Sequence, residues 1–93
     1  MGYEYKVFIK NGAQNKHIVG GIYKSFKEVD MFRNAQLEDD KIIISEYWMT
    51  LGEESENEIY YSISADKDVR ERVNKIISNT LTKMGMDFVC EEE

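Results

Sequence analysis

The chain is poor in the residues that carry most covalent and metal chemistry. Its 93 residues include one cysteine, Cys90, and one histidine, His17. A lone cysteine excludes an internal disulfide and a cysteine-based zinc site. Cys90 precedes Glu91, Glu92 and Glu93, the opposite of the electropositive surroundings in which reactive thiols sit. A small apolar residue at the end of a short strand is its expected role. A Cys–His catalytic couple would rest on this single pair, separated by most of the chain, and no feature supports it. No apolar run approaches the roughly 18 residues of a membrane span. Basic residues are also in deficit: 12 Lys and Arg against 18 Asp and Glu give a net charge of −6 and a pI near 4.8. Neutralising phosphates supplies most affinity for nucleic acid, so direct binding to DNA, RNA or an acidic lipid surface is disfavoured. A basic protein partner is favoured. The phosphate-loop and dinucleotide glycine patterns are absent, and the acidic residues lack the alternation of a calcium loop. No cofactor or metal is expected, and no enzyme activity.

What is present suits one small domain over residues 1–93, because a chain of this length has room for a single modest core. Hydrophobic residues make up 42% and charged residues 32%, which fits neither a disordered chain nor a membrane protein. The opening Met1-Gly2-Tyr3-Glu4-Tyr5-Lys6 reads as strand and not as a basic-then-apolar signal, and Lys6 stands where a myristoylation motif needs Ser or Thr. A cytoplasmic location is the expectation. Phe, Tyr, Met, Ile, Asn and Lys account for 40 residues, whereas Gly, Ala, Arg and Pro account for 12, with no proline at all. That bias follows AT-rich codons and points to a low-GC genome.

Along the chain, Tyr3, Tyr5, Val7 and Ile9 alternate with Glu4, Lys6, Phe8 and Lys10, the period of a strand with one apolar face. Residues 11–15 read as a turn. A second strand is expected from Lys16 to Lys24, with Gly20-Gly21 marking a bulge or a close backbone approach. Ser25-Phe26-Lys27-Glu28 matches a capping box and predicts a first helix from Phe26 to about Leu37, with Phe26, Val29 and Phe32 as its stripe. Glu38-Asp39-Asp40 then forms an exposed loop. Lys41 to Leu51 reads as a central strand apolar on both faces, and Glu58 to Ser64 returns after a polar hairpin. Asp66 caps a second helix whose Val69, Val73, Ile76, Ile77, Leu81 and Met84 share one face. Gly85 ends it, and Met86 to Cys90 supplies a short edge strand. The halves share no residue pattern, so there is no internal repeat.

Three features have functional readings. Glu53, Glu54, Glu56 and Glu58 place four carboxylates within six residues of the hairpin; mutual repulsion there is relieved by a basic partner, the plain alternative being a solvated loop. With Glu38-Asp39-Asp40 and Glu91-Glu92-Glu93 they can imitate a row of phosphates. Tyr47, Trp48, Tyr60 and Tyr61 occupy neighbouring strands. Trp48 and Tyr61 suit a core role, since a small domain needs large rings to gather buried area, while Tyr47 and Tyr60 would stay partly exposed on an uncovered face. Aromatic residues beside carboxylates are the ingredients of a binding hot spot, and Tyr47, Trp48 and Tyr60 join the four glutamates as the candidate partner-binding set. Third, Arg70, Arg72, Lys75 and Lys83 form an ordinary wet helix face, or an anion-binding one diluted by Asp68 and Glu71.

The expected architecture is α+β: an antiparallel sheet of four or five strands with two helices on one face, in the order β-β-α-β-β-α with an optional last strand. In type, a short, acidic, cysteine-poor chain resembles the small phage-borne inhibitors and immunity proteins; the resemblance rests on no motif and transfers no residues. The expected function is a non-enzymatic interaction protein that binds and blocks a basic or nucleic-acid-binding protein partner, in the manner of an anti-defence inhibitor or immunity protein. Two alternatives are a protein that sequesters a small ligand or nucleotide at a homo-oligomer interface such as a dimer groove, and a structural or regulatory subunit whose sheet edge joins a larger assembly.

Overall fold

The computed structural model describes residues 2–10, 15–55 and 57–93, and for residues 15–17 the backbone alone. Strand β1 (Tyr3–Ile9) leads to helix α1 (Asn15–Lys27), and four strands follow: β2 (Gln36–Glu38), β3 (Lys41–Ile44), β4 (Met49–Ser55) and β5 (Glu58–Ile63). Helix α2 (Lys67–Lys83) and strand β6 (Phe88–Glu92) complete the chain. One antiparallel sheet holds all six strands in the order β2-β3-β4-β5-β1-β6. Class, antiparallel sheet and helix number agree with the sequence reading; the sheet is one strand larger, and the element order is β-α-β-β-β-β-α-β.

The changed order comes from the segment 15–38. Residues 16–24 are helical, not a strand. Ile18, Val19, Ile22 and Phe26 are all buried, and their spacing of i, i+1, i+4 and i+8 is that of one helix face. Phe26 therefore belongs to the helix before it, and the capping box at Ser25 is a coincidence of residue types. Ser25 sits in the last turn of α1, where its hydroxyl donates to the Gly21 carbonyl (3.2 Å). The extended backbone of Val29 (φ −104°, ψ 124°) breaks the helical path, and a single 3₁₀ turn at Asp30–Phe32 follows. Phe32 meets Phe26 edge-on at 5.3 Å, so the expected apolar stripe does cluster, along a chain path that is not a helix. The turn predicted over 11–15 lies, but for Asn15, outside the described residues.

Gly20 and Gly21 are helix residues and not a strand bulge. Glycine costs a helix interior about 1 kcal/mol relative to alanine; at Gly21 the helix packing supplies a reason for it. A Cβ there would lie 3.2 Å from Met84 Sδ and 3.8 Å from Thr80 Cγ2. The missing side chain lets α2 approach, and Thr80 Oγ1 comes within 2.7 Å of Ser25 Oγ and 2.8 Å of the Ile76 carbonyl, sharing its one proton between them. At Gly20 a Cβ would meet nothing within 4 Å. Gly20→Ala is therefore expected to raise stability by about 0.5–1 kcal/mol. Gly21→Ala should forfeit that gain by displacing the Met84 sulfur. Urea unfolding of the two variants checks this, and equal gains would count against the packing argument.

The predicted strand from Lys41 to Leu51 is two strands. β3 and β4 pair antiparallel, Ile44 opposite Met49, around a 3₁₀ turn at Ser45–Tyr47. Trp48 closes this turn with a left-handed backbone (φ 52°), a conformation costing a bulky side chain about 1–2 kcal/mol. Asp39 and Asp40, both at positive φ (50° and 62°), make the two-residue turn between β2 and β3, the pattern of a type I′ hairpin. Helix α2 follows the sequence reading: Asp66 accepts the Val69 N–H (3.1 Å), and Gly85 takes φ 75° beyond its end.

Tyr5, Val7 and Ile9 of β1, Ile42 and Ile44 of β3, Met49 and Leu51 of β4, and Ile59, Tyr61 and Ile63 of β5 face one way. They join Ile18, Ile22 and Phe26 of α1 and Val73, Ile77 and Leu81 of α2 in a single core. Both helices thus cover the same face of the sheet, and the alternate strand residues form an opposite face that no described helix covers. Among the described residues no helix is long and apolar enough to cross a membrane.

Candidate protein-binding face

The uncovered face follows from the strand registers, since residues directly opposite one another share a face. One row crosses the sheet: Glu38 opposite Lys41, Lys41 against Gly52, Gly52 opposite Tyr60, Tyr60 opposite Lys6, and Lys6 opposite Glu91. A second row runs Gln36, Ile43, Thr50, Ser62 and Glu4. Glu58, Phe8 and Val89 form part of a third. The strand registers and the Lys6 ion pairs place Glu4, Glu38, Glu54, Glu58, Glu91 and Glu93 on this face, with Lys6 and Lys41 among them.

Lys6 lies at the middle of this charge. Its Nζ is 3.3 Å from Glu54, 3.5 Å from Glu93 and 4.0 Å from Glu58. The bond to Glu54, with the charges of Glu54, Glu93 and Glu58, outweighs burial and raises its pKa. Solvent-exposed pairs of this kind contribute little stability; their effect here is to hold three carboxylates together.

Tyr60 stands beside Lys6, half-buried, and its hydroxyl donates to Glu4 Oε1. That bond, burial, and the charges of Glu4, Glu54 and Glu93 push its pKa from 10.0 up to about 12. A phenol held neutral by the fold contributes stability that is complete below the unfolded value near 10 and is lost as the pH rises through about 12. Glu4→Gln should return this titration towards the ordinary range in ultraviolet absorbance, and Tyr60→Phe should delete it. An unchanged titration in Glu4→Gln would eliminate the hydrogen bond as its cause. Between Tyr60 and Lys41 lies an open groove of about 350 Å³, walled by Thr50, Gly52, Glu53 and Glu54.

The fold also brings together acidic segments that are far apart in sequence. Asp39, Asp40, Glu53 and Glu54 line one shallow depression around Lys41, so the first acidic turn lies beside the second hairpin. Glu91 and Glu93 reach the same face through β6. Charge is segregated more broadly: α1 carries three lysines, and α2 five basic residues against two acidic ones. The two helices are thus at +6, and the remainder of the −6 chain is at −12.

Of the residues singled out from sequence, Glu54, Glu58 and Tyr60 meet on this face, with exposed Glu53 at its rim. Glu56 lies outside the described residues. Tyr47 is half-buried against Phe32, edge-on at 5.8 Å, and is a core-edge residue. Trp48 is the reverse of the core anchor expected: it is 80% exposed, because the 3₁₀ turn takes it out of the strand alternation. It sits at the opposite end of β4 from Glu54, roughly 20 Å away at strand rise, so Trp48 and the acidic hairpin do not form one patch. Tyr61 is fully buried, as expected. Sequence reasoning missed Glu4 and Lys6, although their alternation with Tyr5 and Val7 already assigns them to the polar face. On α2, the Arg70 guanidinium lies over the Tyr3 ring, its Cζ 3.6 Å from the ring centroid, while Arg72 and Lys75 share a depression with Asp68 and Glu71. Among the described residues no three His, Cys, Asp or Glu side chains converge as metal ligands.

The chain matches no family model, no curated protein and no solved structure.

Proposed function

We propose that this is a non-enzymatic binding protein whose uncovered sheet face captures a basic, nucleic-acid-binding protein and blocks it. The observation that carries this reading is the set of six carboxylates on that face around two lysines. Strand pairing sets most of them in rows, and the ion pair with Lys6 holds Glu54, at the irregularity in β4, beside them, so they present an ordered negative surface of the kind a phosphate-binding groove accepts. Tyr60 in their midst supplies a rigid aromatic contact of low conformational cost.

Capture from a low-GC bacterial lysate, with wild type beside a Glu54→Gln/Glu58→Gln/Glu91→Gln chain, tests the reading. Wild type should retain proteins of high pI at about 50 mM salt and lose most of them as salt rises several-fold, because exposed charges are screened over about 10 Å at 0.1 M. The triple variant should lose them at lower salt. A retained set of neutral or acidic proteins, or retention that ignores both salt and the substitutions, would overturn it.

A further inference from the structure

Among the described residues the sheet ends at β6, and one flank of that strand is occupied by β1. The Glu93 N–H donates to the Glu4 carbonyl and the Lys10 N–H to the Asp87 carbonyl, both at 2.8 Å. These bonds set the phase of the antiparallel ladder. Val89 and Glu91, opposite Phe8 and Lys6, turn their peptide groups to β1. Phe88, Cys90 and Glu92 turn theirs outward, which makes a template for one more strand.

The side chains along this edge select what pairs with it. Glu91 and Glu93 lie on the uncovered face, and the nearest cation, Lys6, is already shared among Glu54, Glu58 and Glu93. On the helix side stand Phe88, Cys90 and Glu92, with the Arg70 guanidinium close enough to Glu92 for its charge to be felt. The two sides of the edge therefore differ: one has surplus negative charge and the other is balanced. A second copy of this edge would bring its own Glu91, Glu92 and Glu93 alongside, and like charges across strands are destabilising. The carboxylates that exclude this chain's own edge admit a strand with basic residues at alternate positions.

We infer that β6 receives an extended segment of the partner as a seventh, antiparallel strand, with lysine or arginine at every second position facing Glu91 and Glu93. This rests on the reading that the partner is basic, and it names the partner's binding element.

The test uses the ¹⁵N-labelled full chain and a capped heptapeptide alternating lysine and threonine. In the inferred register the threonine peptide groups bond to β6 and the lysine ones point away. Binding should shift and protect the amides of Phe88, Cys90 and Glu92. N-methylating the threonines should weaken it about tenfold or more through lost backbone bonds, and N-methylating the lysines should leave it unchanged. Cys90→Pro, which removes an outward N–H and no bond to β1, should reproduce the loss. Shifts centred on Tyr60 and Glu4 that tolerate both methylations would overturn strand addition while leaving the basic-partner reading intact. Absence of binding at millimolar peptide also overturns strand addition, and the lysate capture above then judges the parent reading separately.

Discussion

Tyr61→Ala is expected to destabilise the fold by about 3–5 kcal/mol, the range for deleting a fully buried aromatic ring. Domains of this size are stable by only about 5–15 kcal/mol, so the variant should be largely unfolded in mild denaturant. Tyr61 is 0% exposed on β5, which lies between β4 and β1. Its ring stacks on Tyr5 at 5.0 Å and 16°, and its hydroxyl donates to Asn74 Oδ1 at 2.5 Å, with Cys90 Sγ at 3.6 Å. Tyr61→Phe keeps the ring and frees a half-exposed acceptor that water can satisfy, so about 0.5–1.5 kcal/mol is expected there. Burial, and then the proximity of Cys90, drive the Tyr61 pKa far above its ordinary value. The unfolded phenol releases its proton near pH 10 while the folded one keeps it. Stability should therefore fall with rising pH above about 10, and this dependence should flatten in Tyr61→Phe. Urea unfolding curves across pH provide the measurement. A loss under about 1 kcal/mol for Tyr61→Ala would mean that the ring is not the core anchor described here.

The second large effect concerns the binding face. Against a basic protein recovered by capture, Tyr60→Ala should cost about 2 kcal/mol, roughly thirtyfold in affinity, expressed chiefly as faster dissociation. Glu54→Gln with Glu58→Gln should act differently, slowing association several-fold at low salt and hardly at all at high salt, because rim charges steer encounter. Surface plasmon resonance at two ionic strengths separates the two. Equal effects on dissociation from both variants would show that the carboxylates make fixed contacts instead of steering. Tyr60→Phe offers a control, since it keeps the ring but releases Glu4.

How much of this was legible in sequence varied with the range of the interactions that decide each element. β1 and α2 were read correctly because each carries a clean period and, in α2, a local cap at Asp66 that the structure uses. Gly85 and the edge strand were likewise local matters. The segment 16–38 was misread because its cues conflict: Gly20-Gly21 discourage a helix, and Ser25 with Glu28 imitates a helix start. The packing of Ile18, Ile22 and Phe26 into the core, with α2 close against Gly21, outweighs both. Ile42, Ile44 and Trp48 fitted one strand face only so long as the chain ran straight; the turn at Ser45–Tyr47 removes Trp48 from that face. On the candidate site, the hairpin glutamates and Tyr60 were identified, while Glu4, Lys6 and Glu93 enter it only through pairing across the sheet.

The sequence by itself determined the class of this protein. One core of alternating and helical apolar residues, a negative charge of −6, and neither a disulfide nor a cysteine-based zinc site follow from residue types and short-range periods alone. Which residues meet was decided by the tertiary structure. Strand order places β1 between β5 and β6, and that single long-range choice puts Lys6 of the first strand among Glu54 and Glu58 of the second hairpin and Glu93 beside the last strand. Pattern periods report which way a side chain points within its own element. They carry no information about which element lies alongside, because that is set by how the whole apolar surface is buried at once.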